Sequence, residues 1–173
     1  MTEQAIFSGD PRRIRVLAVA SAGGHLVQLR RLRRSWSGCA VTWVTTDPGF
    51  GPVIRAEAEA DGEPAPGFRV VAEASRWNKI ALVRQMLGVA AAVLTVRPHA
   101  VITTGAAPGY FAIRLGRLLG ARTVWVDSIA NAEELSLSGR EAAKHAHLCV
   151  TQWPHLADPD PAGPGPQFYG SVI

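Results

Sequence analysis

Cysteine is nearly absent: two in 173 residues, Cys39 and Cys149, each inside an apolar, strand-like segment. That excludes a disulfide scaffold and any zinc-ligand spacing, and reads as two buried thiols in a reducing compartment. Charge is sparse as well, 18% Asp, Glu, Lys and Arg against 47% apolar residues, which excludes a disordered chain. No uninterrupted apolar run reaches the ~20 residues that a membrane span needs. The longest candidate, KIALVRQMLGVAAAVLTVR from Lys79 to Arg97, is broken by Arg84 and Gln85 and reads as a buried or surface-docking helix. A secretory signal is excluded too, because Arg15 interrupts the apolar stretch after Arg12 and Arg13 and a polar leader precedes it. The expectation is a cytoplasmic protein with a loose leader over residues 1–13 and a single domain over 14–173.

What charge there is has a sign. The net charge is +4 and the pI about 9.7, with Arg30, Arg31, Arg33 and Arg34 clustered. No aromatic interleaving or nucleic-acid motif accompanies the cluster, so nucleic acid is not the expected partner. Phosphate-bearing partners or an anionic membrane surface suit it better, and a solvated helix face would explain it equally.

Hydrophobic periodicity alternates between strand and helix along the chain. Strands are predicted over Arg15–Ser21, Ala40–Thr45, Phe68–Ala72, Ala100–Thr104, Arg122–Asp127 and His147–Gln152. Helices are predicted over Leu26–Trp36, Ile54–Ala60, 79–96, Tyr110–Leu119 and 139–145. The proline- and glycine-dense tail from Pro154 to Gln167 is expected to be irregular. Strands alternating with helices predict an α/β fold, a Rossmann-like parallel sheet with helices on both faces.

In such sheets ligands bind at the carboxyl ends of the strands. Four loops fall there: Ser21–His25, Thr104–Gly109, Asp127–Asn131 and Gln152–Pro154. The first has Gly23 and Gly24 but no third glycine, so it is not the G-x-G-x-x-G loop of dinucleotide enzymes. Small residues there let backbone N–H groups approach an anionic or sugar ligand, although a plain tight turn needs them equally. His25 opens the following helix, whose positive end favours a neutral imidazole able to accept a proton; capping or packing is the other reading. Gly105, Pro108 and Gly109 form a second strand-to-helix glycine loop, with Pro108 placed where its missing N–H costs little. Asp127 and Ser128 end a third strand, where Asp127 orients a hydroxyl or a base, or caps a helix.

The order S-A-G-G-H-L, T-G-A-A-P-G, V-W-V-D-S-I-A with L-S-L-S-G-R, V-T-Q-W-P and finally Y-G-S-V-I resembles one family. These are the acceptor-side, membrane-recruiting subunits of two-subunit N-acetylglucosaminyltransferases, with bacterial relatives in exopolysaccharide and capsule synthesis. The resemblance implies the N-terminal half of a GT-B glycosyltransferase, with the UDP-sugar donor half on a separate chain. It implies that Ser21, Gly23, Gly24, Thr104, Gly105, Pro108, Gly109, Asp127 and Ser128 face a lipid-linked diphosphate sugar acceptor. By the same resemblance His25 is the base of an inverting transfer needing neither metal nor cofactor, since helix dipole and backbone N–H groups can stabilise the leaving diphosphate. It places the protein at the inner face of the cell membrane, attached peripherally or through partners, with the tail from Gln167 to Ile173 supporting the subunit contact. Where relatives commonly carry arginine in the loop after the Asp127 strand, this chain has Asn131. Two alternatives stay open: a non-catalytic scaffold that activates or localises a complete transferase, and a stand-alone nucleotide-binding enzyme such as a reductase.

Overall fold

The computed structural model describes residues 14–75 and 77–172; the expected leader over residues 1–13 lies outside them. Seven strands form one all-parallel sheet: β1 (Arg15–Val19), β2 (Ala40–Thr45), β3 (Gly67–Val70), β4 (Ala100–Thr103), β5 (Arg122–Val126), β6 (Leu148–Thr151) and β7 (Gln167–Phe168). Their order is β3-β2-β1-β4-β5-β6-β7. Successive strands step one way from β1 to β3 and the other way from β4 to β7, so the order reverses between β1 and β4. A crevice opens at such a reversal, because the loops leaving the two strands diverge to opposite faces.

β1 lies at the centre because both of its faces are apolar, as a parallel strand covered on two sides requires. Val16, Ala18 and Ala20 pack on one face with Leu26, Leu29, Trp36, Trp43 and Ile54. Leu17 and Val19 pack on the other with Val44, Val89, Val93, Val101, Ile113 and Trp125. The first layer is made by α1 (Gly24–Arg31) and α2 (Phe50–Ala60), the second by α3 (Lys79–Val96), α4 (Ala106–Leu118) and α5 (Leu137–Ala143). Cys39 and Cys149 are free thiols, and burial pushes Cys149 up to about 12.

Several boundaries differ from the sequence expectation, each for a local reason. The first helix starts at Gly24 and stops at Arg31, and a 3-10 turn over Arg33–Trp36 replaces its expected end. That tighter winding lets Trp36 meet Trp43 of β2 edge to face at 6.0 Å. α2 and α4 start four residues earlier than expected, at Phe50 and Ala106, because Pro52 and Pro108 fall in the first turn, where no N–H is needed. α5 starts at Leu137 rather than 139, since Ser136 caps it by accepting the Gly139 N–H at 2.8 Å. β3 ends at Val70, not Ala72. The tail is not irregular throughout: Gln167–Phe168 adds β7 in parallel beside β6.

The arginine cluster is partly spoken for. Arg30 grips Glu57 of α2 through two bonds of 3.0 and 2.6 Å, and Arg33 holds Asp61 at 2.6 Å. Arg30 and Arg33 thus fasten α1 and its 3-10 turn to α2, and Arg34, exposed at the rim, adds a looser pair with Asp61 at 3.7 Å.

Candidate functional site

Two helix N-termini converge on the reversal between β1 and β4. α1 is entered through Gly23, at φ 84°, and α4 through Gly105, at φ 127°. Neither N-terminus has a side-chain cap, so the first backbone N–H groups of both helices are left to an external acceptor. Ala106, just after Gly105, sits at φ 63°, a left-handed conformation costing a side-chain-bearing residue roughly 1–3 kcal/mol. Backbone strain of this kind gathers where a loop is shaped for a ligand rather than for stability.

His25 joins the two loops. Its Nδ1 lies 2.8 Å from the carbonyl oxygen of Thr104, and the Thr104 hydroxyl donates to the His25 carbonyl at 2.5 Å. A carbonyl only accepts, so the bond to Thr104 places the ring proton of a neutral imidazole on Nδ1 and leaves the lone pair on Nε2. Nε2 has no hydrogen bond among the described residues. The half-buried ring lies against Gly105: a Cβ there would come within 2.8 Å of Cε1 and 2.9 Å of Nδ1. The carbonyl that orients the ring and the glycine that makes room for it are therefore adjacent in sequence, at the end of the neighbouring strand.

The other expected residues divide. Ser21 is half-exposed, Gly23 and Gly24 are exposed, and no atom would meet a Cβ on either glycine, so their backbone borders open space. Thr104 is buried and acts through the two bonds to His25. Pro108 and Gly109 turn inward, with Gly109 packed so closely on Thr103 of β4 that a Cβ would reach 2.0 Å from its hydroxyl oxygen. They hold α4 against the sheet rather than line the crevice.

Asp127 and Ser128 are also buried, and their polar atoms are committed to the protein. Oδ1 of Asp127 accepts from Trp125 Nε1 at 3.1 Å and Ser136 Oγ at 2.7 Å. Oδ2 accepts from Asn131 Nδ2 at 3.1 Å and the Ser136 N–H at 2.9 Å. Four donors fill the carboxylate's acceptor sites, so Asp127 organises the β5–α5 loop. Asn131 supplies one of those donors as a neutral amide. Asp127→Ala is expected to lower unfolding stability by about 2–4 kcal/mol, since it strands four donors, two of them the hydroxyl and N–H of Ser136. The shift of the urea midpoint measures it.

Gln28, unread in the sequence, ties these loops to α1. Its Nε2 donates to Ser128 Oγ at 3.0 Å, and its Oε1 accepts from Ile129 N at 3.1 Å and from Gln152 Nε2 at 2.7 Å. A polar residue between Leu26 and Leu29 on the buried side of a helix is the signal that marks it. Trp153 closes the cluster by donating Nε1–H to the Ile129 carbonyl at 2.9 Å.

No family model matches the chain. The chain is 29% identical over 174 residues to the UDP-N-acetylglucosamine transferase subunit ALG14 of Eremothecium gossypii, covering 86% of this chain and 76% of that protein. Its fold matches that of MurG from Acinetobacter baumannii over 92% of this chain and 46% of MurG, with a TM-score of 0.62 at 14% identity. It also matches UDP-GlcNAc 2-epimerase from Neisseria meningitidis, solved with UDP-GlcNAc bound, over 80% of this chain and 40% of that one, with a TM-score of 0.55 at 8% identity. The chain thus spans less than half the length of these two enzymes. At such identities the two structures speak for the fold alone: a Rossmann-like sheet matching the N-terminal half of a GT-B enzyme.

Proposed function

We propose that this chain is the acceptor-side subunit of a UDP-N-acetylglucosamine-dependent glycosyltransferase, completed by a donor-binding subunit and acting on a lipid-linked diphosphate sugar. The observation that carries the reading is the likeness to ALG14, itself a transferase subunit, across most of both chains. The site geometry is consistent with it. Nε2 of His25 takes the proton of the acceptor hydroxyl as its oxygen forms the bond to the anomeric carbon of the donor sugar. The bond from that carbon to UDP breaks on the opposite side, inverting the centre, and the Nδ1–H bond to Thr104 holds the imidazolium that forms. The uncapped N-termini of α1 and α4 offer N–H groups to the acceptor's diphosphate. The donor-binding chain meets the side that carries the tail, where Tyr169–Val172 borders an open groove of about 370 Å³ lined by Leu32, Trp36, Val124 and Val150.

The test is to purify this chain alone and together with a co-expressed donor-binding chain, and to measure sugar transfer from UDP-N-acetylglucosamine to lipid-linked acceptor. Transfer is expected from the pair only. Transfer by the lone chain refutes the split site, and no transfer by an assembled pair refutes the reading as a whole.

The acceptor's lipid places the site at a bilayer, at its cytoplasmic face in this reading, and α3 suits that surface. The helix has 18 residues with a mean hydropathy of 1.6, long and apolar enough to cross a membrane. Yet Gln85, Val89, Ala92 and Val93 are buried in the body of the protein, and Gln85 donates to the Ala72 carbonyl at 2.7 Å, which supports a helix lying along the bilayer rather than across it. Its outer side exposes Ile80 (73%) and Leu87 (60%), beside Trp77 (82%), with Lys79 and Arg84 among them and no carboxylate in the helix. α3 begins near the end of β3 and runs back toward the start of β4, so this apolar end lies on the His25 side of the sheet. Ile80→Glu with Leu87→Glu is expected to weaken co-sedimentation with anionic vesicles at least ~10-fold, since each side chain contributes about 1.5–3 kcal/mol when buried. Leu118→Glu, at the far end of α4, is expected to leave vesicle binding unchanged.

A further inference from the structure

We infer that the C-terminal tail, acting through Gln152 and Gln28, positions helix α1 and with it the imidazole of His25. The inference rests on the reading of His25 as the base. Gln152 is 1% exposed, and every polar atom of its amide is engaged. Its Nε2 donates to Gln28 Oε1 at 2.7 Å and to the Asp127 carbonyl at 2.9 Å, while its Oε1 accepts the Val172 N–H at 2.8 Å. The Ser171 hydroxyl donates to the Gln152 backbone carbonyl at 2.7 Å.

The polarity of this chain of bonds runs one way. The Val172 N–H can only donate, so it turns Oε1 of Gln152 toward the tail and Nε2 toward Gln28. Gln28 must then present Oε1 inward, where the Ile129 N–H also reaches it, and its Nε2 goes to Ser128. Reversing the Gln152 amide would set donor against donor at Val172 and acceptor against acceptor at Gln28 and Asp127. A buried network satisfied in one arrangement only specifies that arrangement.

Gln28 lies one turn beyond His25 in a helix of eight residues, so what moves Gln28 moves the turn that carries the imidazole. The far end of the relay is at the surface. Ser171 is exposed and Tyr169 is 73% exposed, while Gln152, which Ser171 and Val172 hold, is buried. A subunit that docks against the tail therefore holds the base in place without touching it. Gln28 and Gln152 are positioning residues in this scheme.

The test compares the wild-type chain with a chain ending at Gly170 and with Gln152→Leu, by nitrogen-15 NMR of the histidine rings. The wild type is expected to give the Nδ1–H tautomer at His25. Both variants are expected to shift the His25 ring signals and to speed amide exchange in the first turn of α1. His99, at the opposite end of the strands, serves as the internal reference and stays fixed. Val93→Ala, a core change with no bond to the relay, controls for lost stability and is expected to leave His25 unmoved. In the assembled pair, turnover is expected to fall roughly 10-fold to 100-fold with the acceptor KM nearly unchanged. His25 signals indifferent to both variants, or moved equally by Val93→Ala, overturn the relay. Should the wild-type pair transfer no sugar, the functional reading fails while the ring signals still decide the relay.

Discussion

His25→Ala is expected to cut the turnover of the assembled pair by about 10²–10⁴-fold, the usual worth of a positioned general base. The fold should survive. The substitution removes one hydrogen bond, from Nδ1 to the Thr104 carbonyl, worth about 1 kcal/mol net. The second link between the loops uses the His25 backbone carbonyl and is untouched. Association with the donor-binding chain and with anionic vesicles is expected to match the wild type, because the tail and α3 lie outside the change. His25→Gln sharpens the result, since an amide can still donate to Thr104 but cannot take a proton at neutral pH. Loss of turnover in both variants identifies proton transfer. Recovery in His25→Gln would reduce the histidine to a bracket between two loops, and the base would have to be sought elsewhere.

The sequence announces β1 because a strand that is apolar on both faces has few other places to go. It announces the two glycine loops because each sits between a strand pattern and a helix pattern. What it conceals is their neighbourhood. His25 and Thr104 are 79 residues apart, and only the pairing of β1 with β4 makes them adjacent. That pairing is a tertiary outcome that periodicity does not encode. Asp127 was legible as a special residue but not in its role, since nothing local reveals that Asn131, Ser136 and Trp125 would fill its oxygens. Helix starts at Phe50 and Ala106 are hidden because proline and glycine in the first turn look like breakers, although that turn is where both are tolerated. β7 is two residues long and owes its existence to the free edge of β6 rather than to its own pattern.

Gly105→Ala is the second large effect, and it tests the same site without touching the histidine. The new Cβ would lie 2.8 Å from Cε1 and 2.9 Å from Nδ1 of His25, closer than carbon and nitrogen atoms approach without bonding. The backbone adds its own penalty, because φ at this position is 127°, a region that glycine enters and other residues avoid. The ring and the loop cannot both stay, so the bond to Thr104 is expected to break and the imidazole to swing away from the crevice. Turnover is expected to fall roughly 100-fold, as for a base misplaced by an ångström, with a stability loss of about 1–3 kcal/mol from the backbone. Gly24→Ala is the informative partner. Nothing lies within 4 Å of its added methyl, and the residue opens α1 without a left-handed φ, so the free chain is expected to keep its melting temperature. For an acceptor-side subunit, however, the space over Gly24 is where the acceptor's diphosphate approaches the backbone. Gly24→Ala is therefore expected to raise the acceptor KM at unchanged stability, whereas Gly105→Ala lowers kcat at reduced stability. A Gly24→Ala variant with wild-type KM would mean that the acceptor does not pass over the first loop, and would move it toward α4.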